Sequence, residues 1–145
     1  MQIIRKLSMA LLISAVATGA AYAEEDKYKA DLEPSSEVPP TTSKGHGMVQ
    51  ATLDPSTKLF KWNISFEGLT GPAIAAHFHG PAGVGKNAPP VIPVDVPKAR
   101  SGSVSGAQTL TDDQLTDLTT GNWYFNVHTA MNKTGEIRGQ LRPTH

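Results

Sequence analysis

Three histidines have the types and spacing best suited to chemistry in this chain. His77 and His79 flank a single residue in His77-Phe78-His79. On a strand, side chains two apart project from the same face, so both imidazoles stand together with Phe78 opposite. Downstream, Tyr124-Phe-Asn-Val-His128 sets His128 on the face opposite Phe125 and Val127. If the two strands are neighbours, three imidazoles converge, and that donor set suits copper(II) or zinc(II). His46 and Met131 are further candidate donors, although no spacing ties them to the three. The competing reading is structural: histidines beside Gly-Pro turns also serve to donate hydrogen bonds to loop carbonyls.

A second stretch, Gly80-Pro-Ala-Gly-Val-Gly-Lys-Asn87, approaches the phosphate-binding pattern GxxxxGK[ST]. Asn87 stands where the pattern needs a hydroxyl to hold Mg²⁺. Ala88-Pro89-Pro90 cannot begin the helix whose N-terminus should meet the phosphates. A glycine-rich surface loop is the better reading. Gly135-Glu-Ile-Arg-Gly-Gln-Leu141 puts Glu136, Arg138, Gln140 and Arg142 on one face and Ile137, Gly139 and Leu141 on the other. That is the pattern of a half-buried strand, with Glu136 and Arg138 clamping a turn or fixing the strand's edge. Serine hydrolysis finds no GxSxG elbow. With no cysteine, thiolate zinc sites, Fe–S clusters, cysteine nucleophiles and disulfides are all excluded.

The elements that must position these residues read as short strands. Lys27–Glu33 alternates Tyr28, Ala30 and Leu32 with charged neighbours, and 34–45 then breaks any regular structure. Gly47–Asp54 and Lys58–Phe66 form a hairpin pattern around Asp54-Pro-Ser-Thr57, with Phe60, Trp62, Ile64 and Phe66 in strict alternation. Ala73–His79, Val91–Val96, Ser101–Gly106, Asn122–Thr129 and Glu136–Leu141 complete the set. Thr111-Asp-Asp-Gln114 has capping-box spacing and starts the one expected helix, with Leu110, Leu115 and Leu118 available for burial. Seven or eight short strands and one brief helix predict an all-β fold, a single antiparallel β-sandwich.

Before that domain stands an export signal. Arg5 and Lys6 precede the apolar stretch Leu7–Ala17, and Ala21-Tyr-Ala23 supplies a small-x-small cleavage site. The apolar run is shorter than the roughly 20 residues of a spanning helix. Residues 1–23 are therefore expected to be removed, leaving 24–145 as one domain with no membrane span, in the bacterial periplasm or secreted. Taking Arg5 and Lys6 from the 13 basic residues leaves 11 against 13 acidic ones, a formal charge of −2. Nucleic acid is an unsuitable partner for a chain without a basic excess.

At Ala76-His-Phe-His-Gly-Pro-Ala82, Leu118–Gly121, Trp123-Tyr-Phe-Asn-Val-His-Thr129 and Gly135-Glu-Ile-Arg-Gly-Gln140 the chain resembles the CHRD domain, from about Asp31 to Leu141. This domain is named after chordin, an extracellular antagonist of bone morphogenetic proteins, and also occurs in secreted bacterial proteins. The resemblance implies a β-sandwich of immunoglobulin or superoxide-dismutase Greek-key type. Family members commonly carry Asn-Pro before the last Gly-Glu segment, where this chain has Asn132-Lys133-Thr134. The growth-factor role does not carry over to one short domain. The first functional expectation is a binding module with copper or zinc at His77, His79 and His128. The second is a copper-dependent redox enzyme of superoxide-dismutase type, with Lys86 supplying positive charge if its loop folds over the site. The third is a metal-free envelope domain that meets a protein or polysaccharide partner.

Overall fold

Alternating apolar side chains build two antiparallel sheets that face each other across a single aromatic core. The computed structural model describes residues 14–19 and 23–145. The expected export signal, 1–23, lies largely outside those residues. Along the chain come β1 (Asp26–Leu32), β2 (His46–Asp54), β3 (Leu59–Glu67), β4 (Ala73–His79), β5 (Pro90–Pro93) and β6 (Gly102–Thr109). They are followed by α1 (Asp112–Thr119), β7 (Tyr124–Thr129), β8 (Ile137–Gln140) and β9 (Arg142–Pro143).

One sheet has the order β6-β3-β2-β1-β9 and the other β5-β4-β7-β8. The chain changes sheets between β3 and β4, between β5 and β6, between β6 and β7, and again between β8 and β9. Read around the sandwich, β3 and β6 become neighbours while β4 and β5 lie opposite, a Greek-key arrangement. The expected all-β sandwich with one short helix is therefore the fold observed.

Inward positions of both sheets meet as aromatics. Phe60 of β3 packs edge-on to Phe78 of β4, with ring centroids 5.3 Å apart, and to Trp123 at 5.7 Å. Phe78 in turn lies 4.8 Å from Phe125 on β7. Phe60, Phe78, Trp123 and Phe125 are all fully buried. α1 closes one end of this core on the way from β6 to β7. Thr111 Oγ1 accepts from the Gln114 amide at 3.1 Å, and Gln114 Oε1 accepts from the Thr111 amide at 3.0 Å. These are the two reciprocal bonds of a capping box. Leu110 and Leu118 are buried beneath it.

Three local expectations are revised. The strand expected at Val91–Val96 is ordered as a strand only over Pro90–Pro93, although the Val94 amide still donates to the Ala76 carbonyl at 2.9 Å. Val94 and Val96 still fill the core beyond it. The strand expected at Glu136–Leu141 is β8, ordered over Ile137–Gln140 and paired with β7, and it is followed by a further short strand, β9, that crosses to pair with β1. Gly139 lies within β8, where the Asp31 carbonyl approaches so closely that any side chain would collide with it. Within 34–45, Pro34–Ser36 winds one 3₁₀ turn.

Replacing Phe60 removes the ring that both sheets share. Phe60→Ala is expected to cost about 3–5 kcal/mol. Urea unfolding followed by Trp123 and Trp62 fluorescence measures this, and a loss below about 1 kcal/mol would place the core's centre elsewhere.

Candidate functional site

β4 and β7 are adjacent and antiparallel, with His77 opposite Asn126 and His79 opposite Tyr124. Their inward faces carry Phe78, Phe125 and Val127, so His77, His79, Tyr124, Asn126 and His128 share the outward face. β8 adds Arg138, opposite Asn126, and Gln140, opposite Tyr124. An outward sheet face is ordinarily wet, yet here Tyr124, Asn126, Arg138 and His79 are buried. The loop 80–89 lies across them.

Four of the polar groups beneath that loop, Gln140, Arg138, Tyr124 and His79, find partners in it. Gln140 Nε2 donates to the Ala82 carbonyl at 2.8 Å. Arg138 donates to Asn87 Oδ1 at 2.9 Å and to the Lys86 carbonyl. Its guanidinium carbon sits 3.4 Å from the centroid of the Tyr124 ring, and the His79 ring stacks on Tyr124 at 4.7 Å. The Ala88 amide donates to Tyr124 Oη at 3.1 Å, and His79 Nδ1 donates to the Ala88 carbonyl at 2.9 Å. The loop that approaches a phosphate-binding pattern thus turns carbonyl oxygens toward a cation, the reverse of a phosphate cradle.

The three predicted histidines do converge. One ring nitrogen from each of His77, His79 and His128 lies within 4.8 Å of the others. His77 Nδ1 and His128 Nε2 are 3.2 Å apart. Two nitrogens at tetrahedral zinc, each about 2.0–2.1 Å from the ion, are separated by about 3.3 Å. His128 Nδ1 donates to the Lys133 carbonyl at 2.8 Å. A carbonyl only accepts, so in neutral His128 the lone pair is on Nε2, facing His77. This is the arrangement in which an imidazole ligates through one nitrogen while the other is held by a backbone oxygen.

His79 stands differently. Its Nδ1 is 2.9 Å from the Ala88 carbonyl and its Nε2 is 2.8 Å from Asn126 Oδ1, two acceptors that compete for the one proton of the neutral ring. It joins a metal only by a rotation that gives up one of these bonds. Burial holds all three imidazoles below their ordinary pKa. His128 and His79 add repulsion at His77, while the Ala88 and Asn126 contacts oppose the shift at His79 and the Lys133 contact opposes it at His128. Neutral rings with available lone pairs are the result at neutral pH.

His46 and Met131 do not join the group. His46 lies on β2 in the other sheet, its Nε2 2.9 Å from Glu67 Oε1, and Met131 is 78% exposed in the β7–β8 connection. Lys86 does lie in the covering loop, where its backbone carbonyl serves Arg138 and its side chain is exposed.

Glu37 is a residue that reading the sequence missed, since nothing in Pro34–Gly45 marks it as interior. It is buried next to Asn126 and Arg138, and its Oε1 has no hydrogen-bond partner among the described residues. Burial raises its pKa to about 7, although Arg138 and Asn126 pull it down. Asn126 and Tyr124 were legible only as alternate positions on the strand that carries His128.

A Greek-key sandwich with an imidazole group on a loop-covered sheet defines a class of all-β domain. The comparison with known families makes it specific: the CHRD domain matches residues 28–141, and the chain belongs to that family. No curated protein matches the chain significantly, and no solved structure does.

Glu37 provides a test of the covered face. Between the ordinary glutamate value and about pH 7 the folded protein holds a proton that the unfolded chain releases, so ionisation opposes folding as pH rises through that window. Glu37→Gln is expected to raise stability at pH 8 by on the order of 1–3 kcal/mol, with the gain shrinking toward pH 5. Urea titrations at the two pH values check it. A loss at pH 8 would mean that Arg138 depends on the ionised carboxylate.

Proposed function

We propose that the protein is an exported CHRD-domain binding protein, acting in the bacterial periplasm or outside the cell as the mature chain 24–145. In this reading it holds copper(II) or zinc(II) through His77, His79 and His128. The observation that carries the proposal is the 3.2 Å gap between His77 Nδ1 and His128 Nε2, with the far nitrogen of His128 fixed on the Lys133 carbonyl. Export is supported by the basic, apolar and small-residue order of 1–23 and by the family's occurrence in secreted proteins. No helix among the described residues is long and apolar enough to cross a membrane.

The proposed role is capture or delivery of the ion. Imidazole serves copper(II) and zinc(II) alike, and the absence of thiolates leaves both open. A redox role of superoxide-dismutase type is the enzymatic alternative. It needs bound copper(II) with an open position, and superoxide consumption by the loaded protein separates it from simple binding.

A second reading has an observation of its own. His79 Nδ1 and His128 Nδ1 each tie down a loop carbonyl, Ala88 and Lys133. That is what histidines do in a metal-free envelope domain whose partner is a protein or polysaccharide.

Calorimetric titration of copper(II) and zinc(II) into purified, tag-free protein decides between them, run beside His77→Ala/His79→Ala. Stoichiometric binding that the double variant loses is the expected outcome. Binding in neither protein would leave the structural reading. Because only neutral imidazoles ligate, and burial holds all three rings below their ordinary pKa of about 6.5, affinity is expected to fall only once pH is well below that value. An affinity that stays unchanged down to strongly acidic pH in the folded protein would exclude these three ligands.

A further inference from the structure

The sandwich has four sheet edges, and three of them are blunted. β9 has only two residues, and Pro143 is one of them. β5 is four residues long with proline at both ends. β8 bridges to Glu33, with amide-to-carbonyl bonds of 2.9 and 3.1 Å in the two directions. Short edges, prolines and coverage are the devices by which sheets avoid pairing with other chains.

β6 has none of them. It runs for eight residues, Gly102-Ser-Val-Ser-Gly-Ala-Gln-Thr109, with no charge and no proline. Its ladder with β3 is continuous from Phe66–Gly102 to Leu59–Thr109, without a bulge. Among the described residues it pairs with β3 alone, so its other side presents an unpaired row of backbone N–H and C=O groups. At about 3.4 Å per residue that row is roughly 27 Å long.

We infer that the β6 edge is an association surface, and that its occupant is β6 of a second copy of this chain. The pairing is antiparallel about a twofold axis perpendicular to the sheet, joining the two five-stranded sheets into one. Such an axis sets each residue against itself or a symmetry mate on the same face. A register centred on Ser105 opposes Ser105 to itself, Ser103 to Ala107 and Val104 to Gly106. A charged strand would set like charges against each other across that axis, which is destabilising. β6 brings none, and its small side chains let the strands reach ladder spacing. The pairing also closes the exposed edge of both copies at once, whereas a foreign strand would need its own complementary edge. The histidine group is on the other sheet, and this surface does not rest on the metal reading.

Sedimentation velocity across a concentration series tests the inference with three proteins. The unmodified protein is expected to show a monomer–dimer equilibrium. Ser105→Lys and Ser105→Glu each place like charges across the axis and are expected to weaken association at least tenfold. An equimolar mixture of the two variants is expected to restore the dimer, a rescue that misfolded chains would not give. A protein that stays monomeric at every concentration overturns the inference. So does a dimer that neither variant weakens, or variants that weaken it without rescue on mixing.

Discussion

A guanidinium buried on the outward face of a sheet sets the layout around the histidines. Arg138 is almost wholly buried, and no carboxylate lies within ion-pair distance of it among the described residues. A buried charge left without partners costs several kcal/mol, so acceptors must be brought to it. The loop 80–89 brings them as the Lys86 carbonyl and the Asn87 carboxamide, and Tyr124 lends the face of its ring. The glycines of that loop are therefore best understood through its carbonyls, which must point inward along an irregular path. Once Arg138 has pinned the loop, Ala88 is at hydrogen-bond distance from His79 and Tyr124.

Two residues earlier a charge of opposite sign does the same at the other end of the face. The Glu136 carboxylate is buried and accepts from Ser43 Oγ at 3.0 Å, the Thr70 amide at 2.9 Å, Thr129 Oγ1 at 2.7 Å and Asn132 Nδ2 at 2.9 Å, as well as from the Thr70 hydroxyl. Burial works to raise its pKa, but these donors outweigh burial and hold the group below the ordinary value. Through them it binds the 41–45 segment, the β3–β4 connection and the turn before β8 into one unit. That turn carries the Lys133 carbonyl, which orients His128. Glu136 thus frames His128 and Arg138 frames His79, each through a backbone oxygen.

Much of this was legible in the residues. Period-two alternation located the strands because one face of each had to enter a shared core, and the His-x-His spacing placed two imidazoles on one side for the same reason. The Thr111–Gln114 helix start was readable because a capping box is a local arrangement. What alternation does not encode is what lies above a sheet. It marks Tyr124, Asn126, Arg138 and Gln140 as outward and polar, hence apparently wet. Their burial depends on a loop 35 or more residues away in the chain from β7 and β8, and on strand order. Glu37 was invisible for the same reason, since its burial follows from that layer and not from its own neighbours. Resemblance to the CHRD domain reached identity where periodicity could not, but it carried no account of which nitrogens face one another.

The chemistry of the group turns on one gap. In neutral His128 the Lys133 carbonyl keeps the proton on Nδ1, so the 3.2 Å contact with His77 is a hydrogen bond only if His77 Nδ1 supplies the proton. The gap is also close to the separation of two ligands on one ion. A proton and a metal ion are therefore rivals for the same space. A metal arriving there needs only the His77 proton to move to Nε2, a change of tautomer with no change in ring charge. His128 is already in the ligating form, and the framing carbonyl removes its alternative. His79 faces two acceptors, the Ala88 carbonyl and Asn126 Oδ1, which compete for its one proton and set an oxygen against each nitrogen. The geometry thus orders the three histidines: His128 is preset, His77 is convertible, and His79 joins only when the bond to Asn126 or Ala88 is given up. A metal bound in the proposed way would begin with two ligands, His128 and His77, and would leave its remaining positions to solvent.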